Sequence, residues 1–175
     1  MLDYLIAEAG IRRLHARYTD AVWRKDFVAF GDCFAEDAEW RIGGTIARGR
    51  TACVEHLKGL MPQIRSVLCT FRSPILEVGK GTATGRTYMT EQCVFMDGRT
   101  SAPIGTYYEH FIDQGDSWRF KWRLFHLHYR GPADFSGTFL RNPDYGAPPA
   151  MPPLDAPTHK HTEIEIRNSG TGETA

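Results

Sequence analysis

The chain has 175 residues, 42% of them hydrophobic, and its 21 basic side chains equal its 21 acidic ones. That length supports one domain with a real core and leaves no room for two comfortable ones. The balanced charge leaves no global field to gather nucleic acid or an anionic membrane, so a small, weakly charged partner is the expectation.

The N-terminal stretch MLDYLIAEAGIRRLHARY carries acids within its apolar part and no small-residue cleavage site. No apolar run approaches the roughly 18 residues of a membrane span, and the expected location is cytoplasmic. Cys33, Cys53, Cys69 and Cys93 are scattered without CxxC spacing, so reduced thiols are expected and neither disulfides nor a zinc site. Ile11, Leu14, Tyr18, Ala21 and Val22 recur at helical spacing and predict an amphipathic helix from about residue 3 to 24. Asp26 stands as an N-cap before FVAFGDCF, a second and shorter helix. EWRI and TIA, joined across Gly43 and Gly44, read as a hairpin; Val54, Leu57 and Leu60 mark a third helix that Pro62 ends.

From residue 68 the pattern changes to alternation. LCTFRSPILEV, TATGRTYMTEQCVFM, IGTYYEHFID and SWRFKWRLFHLHY are separated by GKG, DG and QGD, which predicts long antiparallel strands in a meander. Helices first and strands afterwards argue for an α+β fold with helices on one face of a curved sheet. Residues 1–130 form the expected domain, and residues 131–175 are a Pro-rich extension. Phe135, Phe139, Leu140 and Tyr145 favour docking of its first half along the domain or a neighbour, whereas the end is expected to be loose.

This order, with ARYTDAVWRKDFVAFGDCFAEDAEW, ARGRTACVEHL, SPILEVGKGTATGRTYM, GTYYEHF and DSWRFKWR, resembles the SnoaL-like branch of the NTF2-like superfamily. That branch includes scytalone dehydratase, bile acid 7α-dehydratases, hexachlorocyclohexane dehydrochlorinases, polyketide cyclases and diarylpropane-diol lyases. The resemblance implies an NTF2-like cone of three N-terminal helices on a curved antiparallel sheet around a mostly apolar cavity. It further implies a small-molecule ligand, no metal or organic cofactor, and assembly as a homo-oligomer, trimer or dimer.

The family's working pair is an Asp at the end of the first helix and a His at the start of the first long strand. Aligning Tyr18 and Trp40 without a gap puts Trp23 at the Asp position, and CTFRSPILEV puts Cys69 at the His position. Indole does not titrate, and an unperturbed thiol is mostly protonated near neutral pH. A shift of three residues would instead offer Asp26, so both registers stay open.

Other polar groups must then do the chemistry. On the second long strand Thr87, Met89, Glu91 and Cys93 share one face, and Arg86, Tyr88 and Thr90 share the other. Glu91 matches a catalytically important Asp of the bile acid dehydratases; it is a proton shuttle, or else a solvated rim carboxylate or a partner for Arg86. Arg123 matches a cavity arginine of the dehydrochlorinases, suited to hold a phenolate or a leaving hydroxyl, or else to pair with Glu91 or Glu109. Tyr18, Tyr107 and Tyr108 offer hydroxyls. Trp23, Trp40, Phe71 and Phe125 would line a chamber for a flat arene, although an ordinary core holds such rings too. His126 and His128 share a strand face without a visible third metal ligand, and His128 is an acid–base candidate if it turns inward.

The resemblance and these residues together lead to a cofactor-independent lyase acting on a hydroxylated, phenolic small molecule through a quinone-methide-like intermediate, with loss of water or formaldehyde. The alternatives are a non-catalytic small-molecule-binding protein and an isomerase or cyclase of a polyketide or terpenoid.

Overall fold

A computed structural model describes residues 2–134, 137–139, 146 and 149. Helix α1 (Leu2–Arg24) buries one stripe, Ala7, Ile11, Leu14, His15, Tyr18, Ala21 and Val22. Each large apolar side chain on such a stripe contributes roughly 1.5–3 kcal/mol when withdrawn from water. Helix α2 (Phe27–Gly31) is short, and its N-cap Asp26 accepts the Ala29 N–H. A third helix, α3 (Arg50–Leu60), runs into a 3-10 turn (Met61–Gln63) where Pro62 sits in the first turn, a position that needs no N–H donor.

The strands are β1 (Phe34–Ile42), β2 (Thr45–Arg48), β3 (Ile64–Phe71), β4 (Ile75–Val78), β5 (Thr82–Phe95), β6 (Thr100–Ser101), β7 (Ile104–Asp113), β8 (Trp118–Arg130) and β9 (Thr138–Phe139). They form a single sheet in the order β2-β1-β8-β7-β5-β3, with β4 and β6 on β5 and β9 on β8. The β1–β2 hairpin turns through Gly43 (φ 58°) and Gly44 (φ 83°), the left-handed backbone such a two-residue turn demands.

The meander expected from alternation is present, with two differences. LCTFRSPILEV is not one strand: it breaks at Arg72–Pro74, and β3 and β4 pair with successive parts of β5. Pro74 has no N–H for a ladder. The sheet is also mixed and not wholly antiparallel, because β1 lies parallel to β8. That pairing joins segments about 80 residues apart, beyond the reach of local periodicity.

The helices cover the concave face, where a large core joins α1, α2 and α3 to the inward residues of β1, β3, β5, β7 and β8. Tyr108, Trp122 and Leu124 form a separate apolar cluster on the convex face. A bulge places the whole site. Between His110↔Trp122 and Phe111↔Phe120 the β8 strand gains one residue, so Phe120 and Arg123, three apart, both reach the concave side.

Of the extension, β9 pairs with β8 at Tyr129 and Arg130, and the Pro149 carbonyl lies 2.5 Å from His110 Nε2. Phe135, Leu140 and Tyr145 lie outside the described residues. No helix among the described residues is long and apolar enough to cross a membrane.

Candidate functional site

Ladder register assembles the site. Glu109 and Arg123 face each other across β7 and β8, Thr87 and Tyr107 across β5 and β7, and Cys69 and Glu91 across β3 and β5. All of these side chains look into the concave face, over which α1 lays Tyr18 and His15.

Arg123 is fully buried. Its Nε donates to Glu109 Oε1 at 2.9 Å, and its Nη2 lies 2.8 Å from the same oxygen, in ion-pair contact but off the hydrogen-bond direction. Nη1 and Nη2 consequently have no well-aligned acceptor among the described residues. The guanidinium carbon sits 3.8 Å from the ring centroids of Tyr107 and Phe120 and 4.5 Å from that of Tyr18, a cation walled by aromatic faces. Burial works against its charge, but Glu109 first, then Tyr107 and Tyr18, outweigh that and hold its proton more tightly than usual. Tyr18 acts there electrostatically, without a hydrogen bond of acceptable alignment. The same burial raises the Tyr18 and Tyr107 phenols, so both remain O–H groups.

Glu109 has every partner it needs. Oε1 takes Arg123, and Oε2 takes His15 Nε2 at 3.0 Å and the Thr87 hydroxyl at 2.9 Å. Burial pushes its carboxyl upward, yet His15, Arg123 and the His15 and Thr87 hydrogen bonds together hold it below the ordinary carboxylate range.

Glu91 is the contrast. The only hydrogen-bond partners of its carboxyl among the described residues are weak donors, the Cys69 thiol at 3.5 Å and the Cys93 thiol at 3.8 Å. Burial therefore prevails over these thiols and over the more distant Arg130 and Arg123, and the carboxyl is raised. Burial and the adjoining Glu91 also raise both thiols, Cys93 to about 12, so they stay protonated donors. Glu91 is half-buried by accessible surface although protein surrounds its carboxyl closely.

Several expected residues come together on this concave side: Glu91, Arg123, Tyr18, Cys69, Phe71, Met89 and Phe125. Gly105 permits it, because a Cβ there would stand 2.4 Å from the Phe125 ring. Trp40 is buried too, packed on Phe30, Phe34 and His56. Arg123 takes Glu109 as its carboxylate, whereas Arg86, on the other face of β5, lies over the Tyr88 ring.

Other expected residues lie elsewhere. Trp23 is 53% exposed, because the helical stripe ends at Val22 and turns the next side chain outward. Asp26 caps α2 and lies 3.4 Å from Arg24 Nη1, so its carboxylate is spent on the helix end. Tyr108 alternates with Tyr107 and faces the convex side. His128 is on that side as well, 2.8 Å from the Thr106 hydroxyl, and does not turn inward. Among the described residues, no three His, Cys, Asp or Glu side chains converge as a metal set.

Sequence reasoning passed over His15 and treated Glu109 only as a partner for Arg123. The signal for His15 was present, since it stands four residues after Ile11 and three before Tyr18, inside the buried stripe. A histidine there needs a buried partner, and Glu109 supplies it.

A family profile described as "SnoaL-like domain" matches residues 3–123. Among solved structures, a hexachlorocyclohexane dehydrochlorinase is similar at 18% identity and TM-score 0.69, covering 86% of this chain and 99% of that one. A scytalone dehydratase-like protein of Novosphingobium aromaticivorans is similar at 19% identity and TM-score 0.72, covering 85% and 100%. A protein of unknown function from Mycobacterium tuberculosis reaches TM-score 0.67 at 22% identity, covering 94% and 91%. These identities speak for a shared fold. No curated protein matches the sequence.

Proposed function

The chain belongs to the SnoaL-like domain family, and on that premise we propose that it is a cofactor-free lyase acting on a hydroxylated, phenolic small molecule. The observation that carries this reading is the pairing, in one aromatic-walled interior, of a carboxyl biased towards its neutral acid, Glu91, with a guanidinium that has donors to spare, Arg123. The dehydratase and dehydrochlorinase character of structural neighbours supports elimination chemistry in general.

A phenolic oxygen facing Nη1 and Nη2 of Arg123 is stabilised as phenolate, its proton passing to solvent as the substrate enters. The phenolate pushes its electron pair through the ring, the benzylic carbon–oxygen bond breaks, and Glu91 gives its proton to the departing hydroxyl. Water and a quinone methide result. Glu91, now a carboxylate, takes a proton either from the adjoining carbon, giving an alkene, or from a neighbouring hydroxymethyl, which leaves as formaldehyde; electrons return to the ring in both cases. Cys69 and Cys93 keep Glu91 oriented by donating to it. In the same reading the protein works as a homo-oligomer, trimer or dimer, which light scattering would count.

The test is to incubate purified protein with phenolic aryl diols, without added cofactor, and to follow stilbene absorbance and free formaldehyde. Turnover that disappears in Glu91→Gln is expected; no turnover across a broad panel of phenols overturns the proposal. Non-catalytic ligand binding is the second reading, favoured by Cys69 standing where the family's histidine is expected. It prevails if Glu91→Gln and Arg123→Met alter affinity for such ligands while no product ever forms.

A further inference from the structure

The helices among the described residues all pack on the concave side, yet part of the convex face is as dry as the core. Tyr108 is 3% exposed, Leu124 1% and Trp122 9%, and Thr106 and His126 on the same face are buried too. We propose that this face is a docking surface for the C-terminal extension of the same chain, whose proline-bearing residues 140–148 lie along β8 and β7 on Tyr108, Trp122, Leu124 and His126.

Neighbours within the sheet do not account for this burial. A side chain on an open sheet face stands roughly perpendicular to it, so flanking residues cover its sides and leave its tip to solvent. The β5 strand displays that uncovered condition, because its convex residues Thr84, Arg86, Tyr88 and Thr90 are only half-buried. Arg41 lies over the Trp122 ring, 5.3 Å from its centroid, and shelters that residue in part. The dry band is therefore narrower than the sheet, and it follows β7 and β8 from Thr106 and His126 to Trp122.

Two described parts of the extension mark the ends of the same band. β9 pairs with β8 at Tyr129 and Arg130, and the Pro149 carbonyl accepts the Nε2–H of His110, whose opposite residue on β8 is Trp122. From Tyr129 to Trp122 is about seven residues of strand, roughly 23 Å, whereas the roughly ten residues from Phe139 to Pro149 reach at most about 33–36 Å, so the connection spans the band with slack. Both ends meet this chain's own strands, which selects its own extension over that of a second copy. The residues between them, LRNPDYGAP, supply Leu140, Pro143, Tyr145 and Pro148; of these nine only Gly146 is among the described residues. Proline-bearing segments lose little chain entropy on docking to aromatic surfaces, here the rings of Tyr108, His110, Trp122 and His126. Neither Glu91 nor Arg123 takes part, so the proposal stands or falls apart from the lyase reading.

The experiment uses full-length protein throughout. Nuclear Overhauser contacts from the Tyr108 and Trp122 ring protons are collected on a uniformly carbon-13-labelled sample and, with isotope filtering, on a mixture of labelled and unlabelled copies. The expected result is contacts to Leu140 and Tyr145 in the first sample that vanish in the second. Carbethoxylation of His126 by diethyl pyrocarbonate, mapped by mass spectrometry, supplies the second readout. It is expected to be slow in the wild type and roughly tenfold faster in the double variant Leu140→Asp, Tyr145→Asp, which forfeits the burial of two large side chains in the extension and alters nothing in residues 1–130. No contact between the convex rings and residues 140–148, contacts found only between copies, or a His126 that reacts no faster in the double variant would each overturn the proposal.

Discussion

Glu109 and Glu91 both look inward from the same sheet, yet their surroundings drive them to opposite protonation states. Glu109 meets a guanidinium, an imidazole and a hydroxyl, and is held ionised; Glu91 meets two thiols, and is pushed towards the neutral acid. Burial opposes the charge at both positions, so depth alone does not decide the outcome. What decides it is whether strong donors stand on the opposing strand, and the register supplies Arg123 to one carboxylate and Cys69 to the other. One half of the concave face thus has its carboxylate saturated with donors, and the other half keeps its carboxylate poised towards the neutral acid.

The largest expected effect breaks the saturated half. Arg123→Met leaves Glu109 buried without its guanidinium partner and should cost about 3–5 kcal/mol, read as a fall in denaturation midpoint by urea. A loss under about 1 kcal/mol would mean that His15 and Thr87 suffice alone. On the poised half, Glu91→Gln should change stability little while lowering any lyase turnover by about 10²–10⁴-fold, the usual worth of a positioned acid. Comparable damage to stability from both variants would erase the distinction.

Acid titration sharpens the same contrast, because the two groups contribute with opposite sign. Glu109 has a folded-state pKa below its unfolded value of 4.5, so its contribution is present above that pH and is lost as pH falls through the folded value. Glu91 has a folded-state pKa above 4.5, so its contribution is complete below that pH and is lost as pH rises through the folded value. Stability of Glu91→Gln relative to the wild type should therefore improve from acid towards neutral pH, measured by urea melts at stepped pH; a flat difference would contradict the raised carboxyl.

Smaller effects concern residues outside both halves. Asp26→Ala removes an N-cap and should cost about 1 kcal/mol without altering turnover or ligand affinity, whereas a catalytic Asp26 would do the reverse. Trp23→Ala, on exposed surface, should lie within about 0.5 kcal/mol of the wild type by the same melts.

The legibility of this site followed the range of the forces that make it. Strand alternation alone put Thr87, Met89, Glu91 and Cys93 on one face, and the helix stripe alone buried Tyr18. The stripe also argued against Trp23, and there the periodicity was a better guide than alignment to the family's acid position. Tyr107 and Tyr108 are neighbours in sequence, so only one can face inward, and no local pattern says which until β7 is set against β8. The extra residue in β8 and the parallel β1–β8 pair depend on contacts between distant segments, and so did the meeting of His15 with Glu109, 94 residues apart.

The opposed carboxylates can be tested directly by carbon-13 NMR titration of the glutamate side-chain carboxyls, with Glu91→Gln used to assign one resonance. The account predicts that this resonance titrates above the ordinary glutamate value of about 4.3, while the Glu109 resonance titrates below it. If the resonance lost in Glu91→Gln titrates with the surface glutamates, the proton that this interior is built to hold is not there.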